Sequence, residues 1–128
     1  MNMTKETRRT WAEIHLDRLA HNYRLLRERA PHSKFVGLVK ANAKKLEALG
    51  ADYLAVACLD EAEQLRDAGV KCPILVLGYT PVEYTNELID NDITQTVYSL
   101  EVAKGFSDAA VKLGKKLRCH LKADTGMS

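Results

Sequence analysis

No stretch of this chain approaches the ~20 consecutive apolar residues that span a bilayer, so a membrane helix is not expected. Charge of one sign is missing too. The 19 basic and 17 acidic residues are mixed along the chain and leave a net charge of +2. Without a basic stripe, nucleic acid is not an expected partner. Cysteine is scarce: Cys58, Cys72 and Cys119 are odd in number and far apart, without the C-x-x-C pairing of a zinc or redox site. Cys58 and Cys119 fall inside apolar patterns, which predicts buried, reduced thiols. His15, His21, His32 and His120 show no metal-ligand spacing; His15 and His120 alternate within predicted strands and could face the interior. The first nine residues lack an apolar centre and do not read as a secretory signal. These absences predict a cytoplasmic domain, and 128 residues with 46% hydrophobic content suffice for one core.

Strand patterns recur at Trp11–Leu16, Phe35–Lys40, Tyr53–Leu59, Ile74–Leu77, Thr94–Tyr98 and Leu117–Lys122, with helical patterns between them. Leu19, Tyr23, Leu26 and Ala30 share one helix face, as do Ala103, Phe106, Ala110 and Leu113. Asp17, Asp60 and Ser99 are placed to cap helix starts, and Glu63 follows Asp60 in capping-box spacing. Gly50, Gly69 and Gly114 stand where helices should end. Strand-helix alternation implies parallel βαβ units. A dinucleotide-type open sheet would carry a glycine-rich turn after its first strand, and none is present, so a (β/α)₈ barrel is favoured over a flavodoxin-like sheet.

Lys40 ends the apolar run Phe35-Val36-Gly37-Leu38-Val39. Burial at a strand's carboxyl end would desolvate its amine and favour the neutral, nucleophilic form. The plainer reading is a lysine emerging into solvent. In a barrel, functional side chains gather at the carboxyl ends of strands. Lys40, Gly78-Tyr79-Thr80, Ser99 and Lys122-Ala123-Asp124-Thr125-Gly126 all fall there.

Two features do not suit a complete barrel. Between Phe35–Lys40 and Tyr53–Leu59 the connection holds little more than Lys44–Leu49 as a helix, whereas a parallel crossover takes about a dozen residues or more. Moreover, barrels of this kind take ~200 residues or more. Residues are therefore expected to be missing after Ala43 and after Ser128, so that residues 1–128 read as an incomplete barrel.

Seven segments carry a family resemblance: T-W-A-E-I-H-L-D at 10–17, H-N-Y-R at 21–24, V-K-A-N-A at 39–43, D-Y-L-A-V-A at 52–57, I-L-V-L-G-Y-T-P at 74–81, V-Y-S-L-E at 97–101 and K-A-D-T-G-M at 122–127. In this order and spacing they resemble the amino-terminal barrel half of bacterial alanine racemases, PLP-dependent isomerases that interconvert L- and D-alanine by two-base proton transfer. The resemblance implies that Lys40 holds pyridoxal 5'-phosphate as a Schiff base and acts as the base on the D-alanine face. It implies that Lys122 matches a lysine that many members carbamylate, and that Asp124 supports the same turn. It further implies that this is the amino-terminal part of the barrel with the carboxyl-terminal β-domain absent, a homodimer with a shared active site whose second base lies on that absent domain, and D-alanine supply to peptidoglycan. A PLP-carrier protein on the same barrel and a serine-type racemase are the alternatives. The 128-residue chain alone is expected to be inactive. Two departures stand out. A Y-G-H-G-containing segment of about nine residues, whose tyrosine helps hold the PLP phosphate, has no counterpart after Ala43, and His15 replaces the usual aspartate.

Overall fold

The computed structural model describes residues 12–40 and 42–126. It divides into two compact units, residues 1–31 and 32–128. In the first, residues 12–15 have no regular structure and α1 (Leu16–Arg29) follows. The strand predicted over Trp11–Leu16 is thus not formed at residues 12–16, while Trp11 lies outside the described residues. An alternating segment becomes a strand only by pairing, and the sheet described below does not include it. Asp17 sits in the first turn of α1, where a negative charge suits the helix dipole, but His15 occupies the cap position. Ala20 and Tyr23 are the buried residues of α1; Leu26, predicted to share their face, is exposed.

The second unit alternates strand and helix throughout: β1 (Val36–Leu38), α2 (Ala43–Ala48), β2 (Tyr53–Val56), α3 (Leu59–Asp67), β3 (Ile74–Val76), a 3₁₀ turn (Val82–Tyr84), α4 (Thr85–Asp90), β4 (Ile93–Val97), α5 (Leu100–Lys112) and β5 (Cys119–Leu121). All five strands are parallel, in the spatial order β1-β2-β3-β4-β5. A doubly wound sheet reverses its strand order at a switch point. This sheet does not reverse, and it has the strand order of part of a (β/α)₈ barrel.

Strand register sorts the side chains into two faces. Gly37, Leu54, Ile74 and Ile93 form one row of the helix-covered face, followed by Val56, Val76 and Gln95. Leu54, Val56, Ile74, Val76 and Ile93 are almost fully buried. On the other face, which would line a barrel interior, Leu38, Ala55, Leu75 and Thr94 form a row. Here the β1 edge is open, with Leu38 64% exposed. At the other edge Leu121, which pairs with Val97 and so lies on the helix side of β5, is 76% exposed. Cys119 is exposed because β5 is an edge strand, and Cys58 is exposed because it lies past the end of β2; only Cys72 is buried as a free thiol. The expectation of buried thiols at Cys58 and Cys119 is therefore corrected. His15 and His120 are likewise exposed rather than interior.

The amino-terminal edge of the sheet is tied by two charged side chains that bond to backbone. Arg66 on α3 donates to the carbonyls of Val70, Cys72, Asn91 and Asp92 at 2.8–3.0 Å. Glu47 on α2 accepts from the N–H groups of Lys71 and Cys72, both at 2.6 Å. These bonds fix the turns before β3 and β4, and so the length by which each strand projects toward the opposite edge.

Candidate active site

The carboxyl edge is built around a close backbone approach. Gly78, just after β3, donates its N–H to the Ala57 carbonyl at 3.1 Å, and a Cβ at Gly78 would stand 2.4 Å from that oxygen. Only glycine fits. Gln95, buried in β4, donates from Nε2 to the Gly78 and Thr96 carbonyls, both at 2.8 Å. Ser99 accepts the Val102 N–H at 3.2 Å and caps α5 as its position predicts. The N–H of Lys122 continues the ladder by donating to Val97 O at 2.8 Å.

Lys40 is placed differently from the buried amine the sequence suggests. Its side chain is 68% exposed, and Nζ lies 2.9 Å from Glu61 Oε1 on the first turn of α3. The correction has a structural reason. β1 is an edge strand, its inner face is open, and the chain leaves the ladder after Val39. Asn42 then adopts the left-handed conformation, φ 63°, at the start of α2.

Glu61 holds two partners at once. Its Oε2 accepts the Ala57 N–H at 2.8 Å, so the carboxylate caps α3 while Oε1 faces Lys40. The bond from Lys40 and those from backbone N–H groups keep the Glu61 carboxyl below the usual carboxylate range. The sequence reading placed the cap at Asp60 with Glu63. In fact Cys58 is the cap residue and Glu61 the third helical residue, the acidic half of a capping box shifted by two. A cysteine in the cap position gives no signal of its own; the glutamate three residues later does.

The structure does not bring the predicted site residues into one cavity. Lys40 and Glu61 line a crevice of about 90 Å³ with Val39, Asn42, Val56 and Gln64. Lys122 lines a separate cleft of about 420 Å³ on the inner face with Leu77, Thr96, His120 and Leu121. Thr96 is buried there, and its hydroxyl has no hydrogen-bond partner. Asp124 lies outside both and accepts the Gly126 N–H at 2.9 Å, which closes its own turn. Among the described residues no cluster of three or more His, Cys, Asp or Glu is placed to hold a metal.

The family "Alanine racemase, N-terminal domain" matches residues 14–128. The chain belongs to this family. An alanine racemase of Clostridium perfringens is 47% identical over 129 positions, covering 94% of this chain and 33% of the relative. A solved alanine racemase of Clostridium difficile superposes with a TM-score of 0.85 at 43% identity, covering 97% of this chain and 35% of that one. A solved histidine racemase of Leuconostoc mesenteroides gives a TM-score of 0.78 at 30% identity over 88% of this chain and 32% of that one. The chain thus spans about a third of the length of these relatives. The alignments are also longer than the residues they use. For the C. perfringens relative, 94% of 128 residues is about 120, so about nine of the 129 positions hold no residue of this chain.

Proposed function

We propose that the whole protein carrying this chain is a PLP-dependent alanine racemase, acting in the cytoplasm to supply D-alanine for peptidoglycan. The observation that carries this reading is the alanine racemase family match over residues 14–128 on an unbroken parallel sheet, with Lys40 just past the carboxyl end of β1. Relatives named as alanine racemases share 40–47% of their aligned residues with this chain, which supports alanine as the substrate. Lys40 presents an amine just past β1 on a side chain that is 68% exposed. When bound, PLP supplies an electron sink that acidifies the α-hydrogen of an amino acid. Lys40 would hold the cofactor covalently and, once freed, carry a proton at Nζ on one face of the substrate. The opposite face needs a base from outside this chain, in keeping with a homodimer that shares its sites.

Lys122 is proposed as a supporting side chain on the inner face, with carbamylation as its modification, and Asp124 as the residue that shapes the following turn. The Asx-type bond from Asp124 to Gly126 N–H supports the second role. We also propose that the natural protein has about nine further residues after Ala43. The six-residue α2 supports that placement, and the nine empty alignment positions agree with that length. The family tyrosine that helps hold the phosphate would lie in that segment.

The test is conversion of L-alanine to D-alanine by the whole protein, with and without Lys40→Ala. Loss of a positioned acid-base group costs roughly 10²–10⁴-fold; removing the covalent anchor as well should cost at least that. A wild-type protein that leaves alanine unchanged, or a variant as active as wild type, would overturn the reading.

A further inference from the structure

The contact between Lys40 and Glu61 has a direction. Glu61 is not a mobile surface carboxylate: Oε2 is bound to the Ala57 N–H at the mouth of α3, which leaves Oε1 presented to Lys40 Nζ at 2.9 Å. The crevice they share also draws on the ends of β1 and β2, the start of α2 and the side chain of Gln64, and Glu61 is its one ionisable group besides Lys40. We infer that Glu61 is a latch on free Lys40: it holds the ammonium in the cofactor-free protein and must release it before the cofactor can attach. The inference rests on the reading of Lys40 as the anchor. Joining an ammonium to an aldehyde forms a C=N bond and releases one water and one proton. A carboxylate that stabilises the ammonium opposes loss of that proton and keeps the nitrogen lone pair unavailable. Glu61 is therefore a positioning residue, acting through Lys40 and not on the substrate.

The test uses the full chain stripped of cofactor and mixed with pyridoxal, an aldehyde without a phosphate, over a series of pH values. Borohydride quenching followed by peptide mapping gives the rate at which the Lys40 peptide is modified. Glu61→Gln keeps an acceptor for the Ala57 N–H but removes the charge. It should modify Lys40 roughly two- to five-fold faster at neutral pH, the range open to an exposed pair. Salt screens an exposed pair, so concentrated salt should speed the wild type toward the variant and leave the variant unchanged. The salt series stands even if the variant does not fold. Equal rates and no salt response would overturn the latch while leaving Lys40 as the anchor. A wild-type Lys40 that pyridoxal and PLP both fail to modify would remove the anchor itself, and with it the proposed function.

Discussion

At the scale of single residues, position in the sheet decides what a side chain can do. Gly78 is fixed by a backbone oxygen, not by a flexible neighbour, so no rotamer change can admit a methyl group. Gly78→Ala should cost about 1–3 kcal/mol, the usual range for overpacking, in a denaturant titration of unfolding. Glu61 gives a second test. Its carboxyl titrates lower in the folded chain than the ordinary value of 4.5. A depressed carboxylate adds stability above its unfolded pKa, and loses it as pH falls through the folded one. The melting-temperature difference between wild type and Glu61→Gln should be present at neutral pH and vanish in acid below that range. Lys40 was legible in the sequence as the residue of interest, but its surroundings were not. The run Phe35–Val39 reads as buried on both faces, and nothing within it signals that β1 lies at an edge. Glu61 escaped notice because it works through a cysteine-capped helix start.

At the scale of elements, backbone bonding by side chains sets the strand ends. Arg66 satisfies four carbonyls from two turns, a task suited to a planar guanidinium with five donors and not to a lysine. Arg66→Lys leaves several of them without a partner. It should cost roughly 1–3 kcal/mol, measured as a shift in the denaturation midpoint. Ser99→Ala removes the one side-chain cap that the sequence placed correctly, and should cost about 1 kcal/mol by thermal melting. Strands of the second unit were readable to within a few residues because apolar runs and helix-ending glycines bracket them. Gly50, Gly69 and Gly114 all take positive φ as their positions suggest. The stretch before Leu16 was misread. Its alternation is real, but a strand needs a partner, and pairing is not a local property of a sequence.

At the scale of the whole molecule, the face of the sheet opposite the helices is open along β1, and β5 is open on its helix side. Val36, Leu38 and Leu121 are exposed along the two edge strands, and Leu77 on β3's inner side. Exposed edges with apolar side chains invite pairing with another chain. The 128 residues expressed by themselves should bind a hydrophobic dye and elute above their 14.3 kDa mass in gel filtration; a dye-silent monomer would count against the open face. The incomplete barrel is legible from arithmetic, since six strand patterns and a short connection after Ala43 do not make eight units. The separation of Lys40 from the Lys122 cleft was not, because sequence order says which edge a residue occupies but not which crevice. The most direct measurement of the central claim is borohydride reduction of the whole protein as isolated, followed by intact-mass and peptide analysis. A mass well above 14.3 kDa, with a phosphopyridoxyl group on the peptide containing Lys40, is the expected result. An unmodified Lys40 peptide, or the cofactor attached to a different lysine, would contradict it.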